Sequence, residues 1–169
     1  MSNDDDTAFS TCDLSDQHGE RARILAPVFR HFGGRKKFHG VVATAKCWED
    51  NSRVKELLAT AGDGRVLVVD GGGSLRVALL GDMIGKGAVA NGWAGVIVFG
   101  CVRDTAVLGQ IDLGVLALAS HPRRSHKNGE GQAQLAIEIA GARIKPGDQV
   151  FVDDDGVLVL DEITQIHTV

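Results

Sequence analysis

The stretch GDMIGKGAVANGWAGVIVFGCVRD, residues 81–104, decides the fold class. Gly81-Asp82 opens a helix that runs to Asn91, and Gly92 stops it in the left-handed position that ends many helices. Val96 to Phe99 follows as an apolar run of strand length, ending at Gly100. An apolar run without polar alternation reads as a strand buried on both faces. Arg103-Asp104 comes directly after it. Ligands of open α/β sheets bind at the carboxyl ends of strands. The segment therefore predicts a mixed α and β domain and also where its chemistry belongs.

Outward from this segment the pattern repeats. Arg65 to Asp70 is a second buried strand, Gly71-Gly72-Gly73-Ser74 a turn, and Leu75 to Leu80 another extended piece. Phe38 to Cys47 has the β-branched content of a strand, preceded by a turn at Phe32-Gly33-Gly34-Arg35. Ser52 to Ala61 predicts an amphipathic helix with Val54, Leu57, Leu58 and Ala61 on one face. Thr11 to Glu20 predicts a short helix capped by Thr11 or Asp13. Beyond residue 104 come a short helix to Gln110, a strand at Val115 to Ala119 and a polar loop from His121 to Gln132. Short strands at Leu135 to Ile139, Ala142 to Ile144, Gln149 to Val152 and Val157 to Leu160 make an all-β finish. With no repeat and no linker, the expectation is a flexible acidic tail over residues 1–10 and one domain over 11–169.

Composition narrows the function. A chain of 169 residues with 44% hydrophobic content suits one domain with a sizeable core. A net charge of −4 argues against direct nucleic-acid binding through a basic stripe, so any anion site must be local. Cys12, Cys47 and Cys101 are odd in number and far apart, which fits neither a disulfide framework nor a zinc cluster, and the reducing cytoplasm is the expected compartment. No apolar run approaches the roughly 18 residues of a membrane span.

Several motifs have bland readings. Val66 to Ser74 lacks the Gly-Lys-Ser/Thr of a Walker loop, and its sixth position from Gly71 is Arg76, not the glycine of a dinucleotide fingerprint. It resembles the first methyltransferase motif only faintly, since Ser74 stands where an alternating glycine belongs. Asp153-Asp154-Asp155-Gly156 lacks the spacing and terminal glutamate of a calcium loop and predicts a hairpin turn. His121, Arg123, Arg124 and His126 read as a solvated loop or subunit contact, Lys86 as a helix-surface amine, and Cys101 as a packing residue.

Two carboxylates and an arginine carry the sharper hypothesis. Asp82 reads as the N-cap of its helix, or as a carboxylate reaching a bound water; the free amides of Met83 and Ile84 would then receive a substrate anion. Arg103-Asp104 reads as a surface ion pair, or as an oxygen ligand for a hard divalent ion beside a guanidinium that binds an oxyanion.

The matching pieces Phe32-Gly33-Gly34-Arg35, Val66 to Ser74, Gly81-Asp82-Met83-Ile84, Asn91-Gly92-Trp93, Gly100 to Asp104, Ile111-Asp112-Leu113-Gly114, Pro146-Gly147-Asp148 and Asp153 to Val157 extend over nearly the whole chain. Together they resemble the family of the regulator of ribonuclease E activity A and the class II 4-hydroxy-4-methyl-2-oxoglutarate aldolases. The resemblance implies an α/β chain of the swivelling β/β/α type, a homotrimer, and an active site near a subunit boundary. Aldolase-competent members carry an acid, twenty intervening residues, then Arg-Asp; this chain has Asp82, residues 83–102, then Arg103-Asp104. By the same resemblance, Gly81, Asp82, Met83, Ile84 and Arg103 bind a 2-oxo acid substrate. Arg103 and Asp82 are catalytic, and Asp104 binds a divalent cation, magnesium or manganese. The longer dedicated aldolases have further C-terminal sequence that can supply an acid to a neighbouring metal site, and this chain is shorter. The alternative reading is a non-catalytic trimeric inhibitor whose partner is ribonuclease E.

Overall fold

The computed structural model describes residues 8–162. Helix α1 (Thr11–His18) leads through a 3₁₀ turn at Gly19–Arg21 to the short strands β1 (Arg23–Ile24) and β2 (Arg30–His31). Then come β3 (Phe38–Lys46), α2 (Ser52–Leu58), β4 (Val66–Asp70), β5 (Ala78–Leu80) and α3 (Asp82–Ala90). After them follow β6 (Gly95–Val102), α4 (Thr105–Leu108) and β7 (Gly114–Ser120). The chain finishes in β8 (Gln132–Ala133), β9 (Ile137–Ile139), β10 (Ala142–Ile144), β11 (Gln149–Val152) and β12 (Val157–Leu160).

One sheet runs in the order β1-β12-β11-β3-β4-β6-β7-β2, with β5 beside the far end of β6 and β8 beside β3; β9 and β10 form a separate ribbon. Strands β3, β4, β6 and β7 are mutually parallel, and β5 is parallel to β6. Strands β11, β12 and β1 continue the sheet antiparallel and curl it round. The period of two along β4 distributes its side chains to two cores. Leu67 and Val69 pack with Val54, Leu58, Ala88 and Leu108 of the helices, whereas Val66 and Val68 pack with Ile139, Ile144, Val150 and Val159 of the β-rich layer. Helices, parallel strands and curled antiparallel strands thus form the β/β/α arrangement in a single domain. No helix among the described residues is long and apolar enough to cross a membrane.

The structure refines several boundaries. Ser10, not Thr11 or Asp13, caps α1, accepting from the Asp13 amide. Thr11 instead bonds Asp153 through both its amide and its hydroxyl, so the acidic hairpin turn between β11 and β12 anchors the first helix. Phe9, within the expected tail, packs edge-on against His39 and Phe151; residues 1–7 of that tail lie outside the described residues. Helix α2 stops at Leu58, leaving Ala61 exposed in the turn. Strand β6 does not end at Gly100 but continues to Val102 through an irregularity in its pairing with β7. Residues 75–77 are turn rather than strand. The pairs at β1 and β2 carry too few residues for periodicity to reveal them.

Glycine is required where Phe38 lies across the starts of β6 and β7. A β-carbon at Gly114 would stand 2.2 Å from the Phe38 ring, and one at Gly95 would stand 2.4 Å from it. Overpacking of this kind costs about 1–3 kcal/mol. Gly114→Ala is expected to lower unfolding free energy by about 2–3 kcal/mol in urea denaturation. Phe38→Leu added to it should be less costly than the two single changes summed; strict additivity would show that the ring is not the obstacle.

Candidate active site

Four parallel strands deliver their carboxyl ends to one place. Asn51 follows β3, Gly81 to Ile84 follow β5, Arg103-Asp104 follow β6, and Arg124 to Lys127 follow β7. Together with Lys55 of α2 they line a cavity of about 280 Å³. All six residues singled out from the sequence, Gly81, Asp82, Met83, Ile84, Arg103 and Asp104, line it. Lys55, Arg103, Arg124 and Lys127 outnumber Asp82 and Asp104 there, although the whole chain carries −4. The cavity is locally cationic.

The two motif segments are fastened to each other. Asp104 Oδ2 accepts from the Asp82 amide at 3.1 Å, and the Arg103 amide donates to Leu80 O at 2.9 Å. A β-carbon at Gly81 would lie 2.7 Å from Asp104 Oδ2 and 3.3 Å from Arg103 Cγ, so only glycine lets the turns approach this closely. Asp104 itself sits in the left-handed region, φ 55 and ψ 42. Aspartate tolerates that conformation better than most residues, at roughly 1–2 kcal/mol. Its carbonyl starts α4, accepting from the Val107 and Leu108 amides. The Arg103 guanidinium reaches Pro122 O at 3.4 Å and stands 4.0 Å from Asp104 Oδ2. Both side chains remain about 40% accessible (40% and 39%), and both face the cavity.

The capping expectation for Asp82 is corrected. Gly81 occupies the N-cap position of α3, and Asp82 is the first helical residue, its Oδ1 accepting from the Met83 amide at 2.8 Å. Two of the amides expected to receive a substrate anion are thus held by the chain's own carboxylates, Asp82's by Asp104 and Met83's by Asp82. A helix start attracts negative charge, and here side chains supply it.

The His121 to Gln132 loop was expected to be solvated or a subunit contact; its middle instead forms part of the cavity wall. Asp50, almost wholly buried, accepts from the Ser52 amide at 2.9 Å and the Asn128 amide at 2.7 Å. Asn51 donates to Leu79 O and accepts from Lys127 Nζ at 3.2 Å. Ala78 N donates to Arg123 O at 2.7 Å. Glu49, also buried, pairs with Arg76. Glu49-Asp50-Asn51 therefore clamps the loop and aims Lys127. Sequence reasoning missed Asn51, Lys55, Arg124 and Lys127. The available signals were the acidic pair at Glu49-Asp50 just after a strand and the basic run in a polar loop.

Other candidates separate from the cavity. Cys101 is buried, and burial raises its thiol pKa despite the nearby Arg30; it does not line the cavity. Burial also pushes Cys47 up to about 12. Lys86 is exposed on α3, outside the lining. The glycine run after β4 packs inward: a β-carbon at Gly71 would meet Leu79 at 2.7 Å and the Phe99 carbonyl at 2.8 Å. Those glycines serve close packing and do not cradle a nucleotide or methyl donor. Among the described residues no group of three or more His, Cys, Asp or Glu side chains could enclose a metal ion.

A family model described as Aldolase/RraA, of the RraA-like type, matches residues 11–159. The chain belongs to the RraA-like family. A protein of Laribacter hongkongensis named "Putative 4-hydroxy-4-methyl-2-oxoglutarate aldolase" is 55% identical over 150 residues, 89% of this chain and 94% of that one. A Burkholderia mallei protein of the same name is 54% identical over 159 residues, covering 91% and 96%. Among solved structures, one described as the RNA-processing inhibitor RraA from Thermus thermophilis superposes with a TM-score of 0.89 at 44% identity, covering 94% of this chain and 97% of that one. Another, from Geobacillus kaustophilus and described as an S-adenosylmethionine: 2-dimethylmenaquinone methyltransferase, gives 0.90 at 42% identity, covering 92% and 96%. The expected fold is that of the RraA-like family.

The Asp50 clamp has a pH signature. Burial tends to raise its pKa, but hydrogen bonds from Ser52, Asn128 and Glu130 outweigh this and hold the carboxyl below its usual value. A depressed folded value means its stabilisation is present above the unfolded carboxyl pKa, about 3.9, and is lost as pH falls through the folded value. Asp50→Ala should cost about 1–3 kcal/mol near neutrality and flatten the stability loss below about pH 4 in denaturation curves taken across that range. An unchanged acid limb would show that another carboxyl governs it.

Proposed function

We propose that this chain is a divalent-metal-dependent lyase that cleaves 4-hydroxy-4-methyl-2-oxoglutarate to two pyruvates, with oxaloacetate decarboxylation as a second activity through the same pyruvate enolate. The observation that carries the reading is the cavity itself: Arg103, Asp104, Asp82 and the amide end of α3 meet at the carboxyl ends of parallel strands. The names of the relatives at 54–55% identity support it.

The donor set suits a hard cation. Asp104 Oδ1 has no partner among the described residues, and Asp82 lies beside it at the same cavity. Magnesium and manganese are commonly held by one or two carboxylates, with waters and substrate oxygens completing the shell. Asp104 would hold the ion, whose contribution is that of a Lewis acid polarising the substrate's carbonyl.

The chain's own groups do the rest. The substrate's C1 carboxylate rests on the peptide NH groups from Asp82 to Ile84, displacing the carboxylates of Asp104 and Asp82 that hold two of those amides in the free chain. That displacement turns Asp104 toward the cation and Asp82 toward water. Arg103 donates to the C2 oxygen as charge moves onto it. In the aldol cleavage the C4 hydroxyl loses its proton to a water oriented by Asp82, the C3–C4 bond breaks, and the electron pair passes into the C2–C3 enolate. A proton then returns to C3 and gives pyruvate. With oxaloacetate the departing fragment is carbon dioxide, and the same enolate remains. We further propose a homotrimer, in keeping with the family resemblance.

The Thermus thermophilis relative, described as an RNA-processing inhibitor, favours a second reading: binding and inhibition of a ribonuclease without catalysis. Purified protein incubated with oxaloacetate and magnesium should release pyruvate, and chelator should stop it. Arg103→Ala should lower turnover about a hundredfold, the loss of one oxyanion donor worth about 3 kcal/mol. Asp104→Ala should abolish both rate and metal dependence. Wild-type protein that releases no pyruvate, or an Arg103→Ala variant with near-normal rates, would leave the inhibitor reading in its place.

A further inference from the structure

The mechanism above uses one cation of the cavity, Arg103. Three others line it from separate elements, Lys55 on α2 and Arg124 and Lys127 after β7. Elsewhere arginines are matched: Arg23 with Asp148 and Asp161, Arg35 with Asp112, Arg53 with Glu56, Arg76 with Glu49. Lys55 and Arg124 have no ion pair or side-chain hydrogen bond among the described residues, and Lys127 donates only to the neutral Asn51 oxygen. Like charges gathered in one small cavity repel, and an anion relieves that repulsion. The Asp50 and Asn51 contacts hold Lys127 in place, so the arrangement is built rather than incidental.

We propose that Lys55, Arg124 and Lys127 form an outer carboxylate subsite, which makes the ligand a 2-oxo dicarboxylate rather than a 2-oxo monocarboxylate. The inference rests on reading this cavity as a 2-oxo acid site. The ligand's C1 carboxylate and C2 oxygen occupy the amides after Gly81 and Arg103, and its distal carboxylate meets the second set of cations. A site holding unpaired buried charge discriminates strongly against an analogue that lacks the complementary group. A cavity of about 280 Å³ suits a ligand of this size and is small for a nucleotide.

The test uses an inert pair of ligands on the full chain with magnesium. 2-Oxoglutarate and 2-oxovalerate share a five-carbon 2-oxo acid and differ in a carboxylate against a methyl group, and neither can undergo the aldol or decarboxylation step. Isothermal titration should show 2-oxoglutarate binding at least about tenfold tighter. Lys55→Met and Arg124→Met should erode that preference while 2-oxovalerate affinity holds, and Lys55→Arg should restore part of it. Arg103→Ala should weaken both ligands together. Equal affinity for the two ligands in the wild type, or equal loss of both in Lys55→Met and Arg124→Met, would overturn the subsite. Because the ligands do not react, the result stands apart from the lyase assay. Preference without pyruvate release supports the subsite and overturns the lyase; pyruvate release without preference overturns the subsite alone.

Discussion

The contact on which the site depends is a single hydrogen bond across two strand ends, from the Asp82 amide to the Asp104 carboxylate. It exists because Gly81 has no side chain and because the backbone at Asp104 turns left-handed. Those two features bring the turn after β5 against the turn after β6, and with it the guanidinium of Arg103 to the mouth of the helix. Parallel pairing of β5 with β6 sets the register that makes the approach possible. The chemistry follows from the topology, since strands running the same way end on the same side.

The opposite half of the cavity is fixed by other means. No glycine constraint operates there. Instead buried acids at Glu49 and Asp50 and the amide of Asn51 hold a long irregular loop in place. Long connections are free to wander unless their backbone groups find partners. Here the partners are side chains that sit just past the end of β3, and the loop returns the favour by closing the wall with Lys127 and Arg124.

These two halves differ in how far they could be read from residues alone. The Gly-Asp helix start and the Arg-Asp strand end announce themselves, because each is a local pattern whose position relative to a strand follows from a buried run such as Val66 to Val69. The family resemblance then paired them. The contributions of Asn51, Lys55, Arg124 and Lys127 depend on long-range contacts between residues 49–55 and 124–128, and no periodicity encodes those. The capping of α3 went astray for a related reason: Asp82 has the right side chain for an N-cap, but close packing against Asp104 assigns that position to Gly81. Short strands such as Arg23–Ile24 exist only because β12 lies beside them.

The left-handed backbone at Asp104 also bears on how such a protein can change over generations. That conformation admits asparagine and glycine more readily than most other residues. Drift at this position is therefore channelled toward substitutions that keep the turn. Such a descendant would express and fold as before, with its reactivity gone and its surface intact. A scaffold of this kind can shed one occupation and take up another without passing through an unfolded ancestor.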